Sequence, residues 1–126
     1  MSRGLKITFL VHCIVSLIFG ILLYPKPGIW VTLVNWSPFD PTMTRLMAAA
    51  LLALAVSSWL GYRAVRWEEV RIVVQMEIAF TVLGALAGLY GVLFVHAPAF
   101  AWVVTVIMAA FAVAWIYFYF KRPALA

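Results

Sequence analysis

The apolar residues of this chain run on rather than alternate. Four long apolar stretches, at about residues 7–24, 42–62, 71–95 and 99–120, are separated by short segments rich in proline, charge or tryptophan. Strands would show strict alternation over a few residues, and none is seen. A helix rises about 1.5 Å per residue, so about 20 apolar residues cross the hydrocarbon of a bilayer. The pattern predicts an all-α fold: a polytopic membrane protein forming one antiparallel four-transmembrane-helix bundle, as a single domain over residues 1–126.

The breaks are as informative as the runs. The first run follows Arg3 and Lys6 and ends in Tyr24-Pro25-Lys26-Pro27-Gly28; no small-x-small cleavage site follows it, so it reads as an uncleaved span. Between the first two spans lies Ile29 to Trp36, too short to cross a membrane as a helix. Trp30 and Trp36 mark it as an interfacial or shallow re-entrant segment, either resting at the headgroups or lying as a lid over a cavity. Asp40-Pro41 is a helix start: the carboxylate accepts free N–H groups, and proline loses nothing at the first position. Arg45, close behind, is expected to snorkel or to pair with Asp40. Arg63 to Arg71 reads as a tight charged turn that makes the second and third spans antiparallel neighbours, with Glu68 and Glu69 at the positive end of the third helix. His96-Ala97-Pro98 is a minimal turn. Trp115 to Phe120 reads as an aromatic belt, closed by Lys121-Arg122-Pro123.

Composition removes the soluble alternative. The chain is 67% hydrophobic and 10% charged, more apolar surface than a soluble domain of this size could bury. Its net charge of +5 does not point to nucleic acid, because the basic residues flank apolar runs and form no stripe. Four spans place both termini on one side. That side holds seven basic residues (Arg3, Lys6, Arg63, Arg66, Arg71, Lys121 and Arg122) against Lys26 and Arg45 on the other, which orients the termini towards the cytoplasm. The single cysteine, Cys13, excludes an internal disulfide and Cys-x-x-Cys redox chemistry.

Candidate chemistry lies inside the spans. At about 100° per residue, Glu77, Thr81, Gly84, Gly88 and Gly91 fall on one stripe of the third helix: a carboxyl, a hydroxyl and three notches for a neighbouring backbone. The first span carries Thr8, His12, Ser16 and Gly20 at intervals of four. The second carries Ala49, Ala53, Ser57 and Gly61 at the same interval, a small-residue ridge. His12 and Glu77 each lie six residues past a basic flank, Lys6 and Arg71, and so roughly 9 Å deep, with Ser57 at a similar level. Unpaired in lipid, each would cost several kcal/mol or change protonation state. Facing each other, they could share a proton. Three readings follow: a polar clasp fixing helix register, a titrating or ligand-binding site, or side chains that snorkel to the interface. Gln75 points nearly opposite Glu77, towards the fourth helix or a partner subunit.

Other chemistries lack their residues. His12 and His96 belong to opposite faces of the membrane and cannot share a haem. Cys13 points about 100° away from His12, which leaves no convergent metal set. No Ser-His-Asp pattern and no phosphate-cradling loop is present, and no catalytic residue is expected.

The second span, Thr44-Arg-Leu-Met-Ala-Ala-Ala-Leu-Leu-Ala-Leu-Ala-Val-Ser-Ser-Trp59, follows an Asp-Pro start and a Trp-containing loop. With four spans in 126 residues, it resembles the DoxX-like group of small four-helix membrane proteins of bacteria and archaea. The resemblance implies a prokaryotic cytoplasmic membrane, and a quinone-side or accessory role, since some DoxX-type proteins are membrane subunits linked to quinone-dependent sulfur oxidation. The leading expectation is a small integral subunit or assembly factor without catalysis of its own. It would bind lipid, quinone or partner helices, as a heteromer or homo-oligomer. The alternative is a small oligomeric proton-coupled transporter or channel that uses Glu77 with His12. A membrane enzyme or redox subunit would need a bound cofactor.

Overall fold

A computed structural model describes residues 1–121. It is all-helical: α1 (Arg3–Leu23), α2 (Pro27–Leu33), α3 (Pro41–Arg63), α4 (Trp67–Phe94) and α5 (Phe100–Phe120). All except α2 are long and apolar enough to cross a membrane. The chain is thus an all-α, four-span membrane protein. Arg122 and Pro123 of the expected basic flank lie outside the described residues.

Capping explains where the helices begin. The Ser2 hydroxyl accepts the N–H of Leu5, so α1 starts at Arg3, several residues before the apolar run. Asp40 caps α3 through the N–H of Met43 at 2.8 Å, with Pro41 in the first turn. The expected turn from Arg63 to Arg71 shrinks to Ala64–Arg66. One carboxyl oxygen of Glu69 accepts the N–H groups of Val65 and Arg66, and the other takes Arg66 Nε at 3.0 Å. That cap winds Trp67 to Arg71 into α4. Arg45 does not pair with Asp40. Its guanidinium donates to the carbonyl oxygens of Tyr24 and Pro25, tying the start of α3 to the end of α1.

The helices follow each other round the bundle in chain order. The pairs α1/α3 and α4/α5 pack along their length, whereas α1/α5 and especially α3/α4 touch much less. The link through Ala64–Arg66 makes α3 and α4 neighbours at the turn only, and beyond it they part. The start of α1, the end of α5 and the turn share one end of the bundle, where Leu5, Phe9, Trp67, Val70, Val74 and Trp115 form the main core cluster. At the far end α2 lies across the helices. Val31 packs with Leu23 and Ala48, and the Trp30 ring stands edge-on to Phe100 at 5.5 Å. Trp36 falls beyond α2, after Asn35 turns the backbone left-handed at φ 57°.

Buried positions recur three, four or seven residues apart: Leu5, Phe9, His12 and Ser16 on α1; Ala48, Ala55 and Ser58 on α3; Trp67, Val70, Val74, Glu77 and Thr81 on α4; Ala101, Thr105, Ala112 and Trp115 on α5. This is the heptad-like spacing that lines the seam of a helical bundle. In lipid, where hydrocarbon is as apolar as leucine, close van der Waals fit drives such packing. A methyl at Gly61 would lie 2.5 Å from the Phe9 ring, and one at Gly88 would collide with Thr105 Oγ1.

Two expected features are displaced. Ala49 and Ala53 are exposed on the outer face of α3. The ridge at strict intervals of four drifts about 40° per step away from the seam, and only its last member, Gly61, is buried. Trp115 is core rather than belt: it is 0% exposed, while Tyr117 and Phe120 on the same helix face outwards.

Candidate functional site

His12 and Glu77 meet across the diagonal of the bundle. α1 brings the imidazole and α4 the carboxyl, and His12 Nε2 lies 3.5 Å from Glu77 Oε2. His12 is 3% exposed and Glu77 0%. The imidazole is held from several sides. Nδ1 and Ser58 Oγ are hydrogen-bonded at 2.8 Å, and Ser16 Oγ lies 3.4 Å from Nε2. The ring stands edge-on to Phe111 and Trp115, with centroids 4.7 and 5.6 Å away. Ser58 therefore supplies the hydroxyl of this layer. Ser57, the position expected from sequence, is half-buried and donates to the Leu54 carbonyl oxygen at 3.0 Å. It sits about 100° round the helix from Ser58, so the seam spacing, had it been applied to α3, selects Ser58.

The carboxyl is held less well than the imidazole. Neither oxygen of Glu77 has a hydrogen-bond partner. The contact to His12 is within Coulombic reach but is not a hydrogen bond. Thr81 Oγ1 donates to the backbone carbonyl of Glu77 at 2.6 Å, not to its carboxyl. Trp115 Nε1, in the same layer, is buried without an acceptor. A structural clasp would be expected to satisfy its acid, because an orphaned buried polar group costs about 1–3 kcal/mol. This acid is positioned without being satisfied.

The pair supports two states that differ by one proton. With Nδ1 accepting from Ser58, Nε2–H points at a carboxylate; with Nδ1–H donating to Ser58, a bare Nε2 faces a carboxylic acid. Ser58 serves both states by exchanging roles.

The remaining expected residues are dispersed. Gly84 and Gly88 lie where α5 crosses α4, the first against Met108 and the second against Thr105. The Gly91 carbonyl oxygen accepts the N–H groups of Val95 and Ala97 as α4 ends. Gln75 reaches α5 and donates to Tyr119 Oη at 3.1 Å. Among the described residues no three His, Cys, Asp or Glu side chains converge. Trp115, Phe111 and Phe9 build the aromatic wall of the site, a role that the seam spacing on α5 and α1 would have signalled.

An open groove of about 520 Å³ lies beside this layer, lined by Ser57, Leu60, Gly61 and Arg63 of α3, Ala64 of the turn, and Glu69, Val70 and Val73 of α4. No family model, curated protein or solved structure matches this chain. Fold and site define the class: a four-span helical membrane protein with a histidine–glutamate pair in its core.

Proposed function

We propose that this protein is a small integral subunit or assembly factor of a prokaryotic cytoplasmic membrane, with both termini in the cytoplasm and no catalysis of its own. Lipid, quinone or partner helices cover its faces. The observation that carries this reading is the outer face of α3. Ala49 and Ala53 stand exposed there, although small residues in a membrane helix serve to bring another backbone close. The bundle makes no use of them. The excess of basic residues at the turn end supports the orientation, and the DoxX-like layout of the second span supports an accessory role.

Extraction from the native membrane into nanodiscs, followed by native mass spectrometry, tests it. A stoichiometric protein, quinone or lipid partner is expected, and it is lost when Ala49 and Ala53 are both replaced by leucine. A chain that flies alone, or a partner indifferent to those changes, removes the reading.

The orphaned carboxyl of Glu77 favours a second reading, a small oligomeric transporter or channel that couples flux to a proton shared by Glu77 and His12. In proteoliposomes, Glu77→Gln should abolish proton-coupled flux while the protein remains folded. Absence of flux in the wild type, or normal flux in the variant, excludes it.

A further inference from the structure

The two ends of the bundle are built differently, and the pair lies between them. On the far side of Glu77, the notches at Gly84 and Gly88 are filled by Met108 and Thr105. Beyond them α2 closes the end of the bundle, with Val31 and Trp30 packed on α1, α3 and α5. A second groove of about 450 Å³ at that end runs past Trp36, Met43, Leu46 and Met47, on the outer face of α3. Met43, Leu46 and Met47 are exposed, so this groove does not lead inwards.

The turn end is open between α3 and α4. The groove there starts at Arg63 and Glu69 and ends at Ser57 and Val73. Val70, Val73 and Glu77 share one face of α4, and Glu77 is the next turn past Val73, about 6 Å further along the axis. On α3, Ser57 adjoins Ser58, whose hydroxyl is bonded to His12. The groove therefore stops one helical turn short of the pair, at the two elements that hold it.

We infer that Glu77 exchanges its proton with the side of the charged turn only, through water entering the groove between α3 and α4. This rests on the reading of Glu77 as a titrating group. His12 of α1 faces it directly. From α3 the charged groups are Arg63 at the groove mouth and Arg45 at the far end, and α5 carries none between Phe100 and Phe120. On α4 itself Glu69, already engaged by Arg66, lies at the mouth, and Glu68 and Arg71 are exposed. The lining is mostly apolar, but Ser57, Arg63 and Glu69 set polar groups at its two ends, where water can be held. On the far side Met108 and Thr105 fill the glycine notches between α4 and α5, and α2 covers the ends of α1, α3 and α5.

Sided vesicles of the full-length protein test this with a water-soluble, membrane-impermeant carbodiimide and an amine. The carbodiimide adds to a protonated carboxyl, the amine displaces the urea, and the Glu77 peptide gains the amide mass. Modification should be about tenfold faster when reagent is added on the turn side, a ratio equivalent to about 1.4 kcal/mol of barrier. Val73→Trp, which fills the groove, should slow the turn-side reaction by a similar factor. Ser57→Phe provides the same plug from α3 if the first variant misfolds. Equal rates from both sides, faster reaction from the far side, no modification from either, or indifference to both plugs would overturn the inference. The assay does not depend on transport. A chain labelled from the turn side that carries no flux keeps the access route and loses the transporter reading.

Discussion

Replacing Glu77 by methionine should stabilise this protein. Methionine keeps the unbranched shape and the helix propensity of glutamate and removes both carboxyl oxygens. Those oxygens are fully buried and accept no hydrogen bond. An unsatisfied buried polar group costs about 1–3 kcal/mol, and replacing a buried charged pair by apolar groups of similar volume yields about 1–4 kcal/mol. What the substitution gives up is small. The His12 contact is 3.5 Å long and not a hydrogen bond, and the imidazole keeps Ser58 at 2.8 Å. The net expectation is a gain of about 1–3 kcal/mol. Unfolding can be followed by the fluorescence of the six tryptophans, Trp115 beside His12 and Phe9 among them, in detergent during titration with a denaturing surfactant. The outcome separates the two meanings of the pair. A clasp that holds helices in register must lose stability when its acid is removed, whereas an acid retained for function costs stability while it is present. A loss of more than about 1 kcal/mol in Glu77→Met would refute the reasoning.

Three further outcomes follow from the same geometry. Ser58→Ala strips the buried Nδ1 of His12 of its partner and should cost about 1–3 kcal/mol, while Ser57→Ala should change little; equal effects in surfactant titrations would contradict the assignment. Gly61→Ala forces a methyl into the fully buried Phe9 ring and should cost about 1–3 kcal/mol, measured as a lower melting temperature; Ala53→Gly, on the exposed face, is the comparison. Asp40→Ala removes the cap of α3 and should cost about 1 kcal/mol, with faster hydrogen exchange at Met43 and its neighbours as the local readout.

Much of this architecture can be read along the chain, because the membrane constrains it before any packing is considered. Backbone groups in hydrocarbon must bond within their own segment, so length and hydropathy suffice to place α1, α3, α4 and α5. Local chemistry likewise fixed the cap at Asp40-Pro41. The stripe from Glu77 to Gly88 was legible because its alternation of four and three residues matches the seam of a supercoiled bundle. Sequence failed where a strict interval of four took the place of that alternation. Such a ridge turns steadily away from the seam, which is why Ala49, Ala53 and Ser57 were chosen in place of Ala48, Ala55 and Ser58. Trp115 was misplaced for a related reason: position near a helix end suggests an interfacial aromatic, but rotation about the helix decides whether the ring faces lipid or core.

By itself the sequence determined that there are four crossings, and that an acid and an imidazole lie at one depth. Depth is a property of one helix at a time, set by residue count and rise. Which side chains then touch depends on the rotation of each helix and on which pairs pack closely, and those are properties of the assembled bundle. Only the tertiary structure put His12 and Glu77 on facing surfaces and gave the imidazole its serine while leaving the carboxyl bare. It also left α3 and α4 in little contact, with a groove between them on the turn side of the pair.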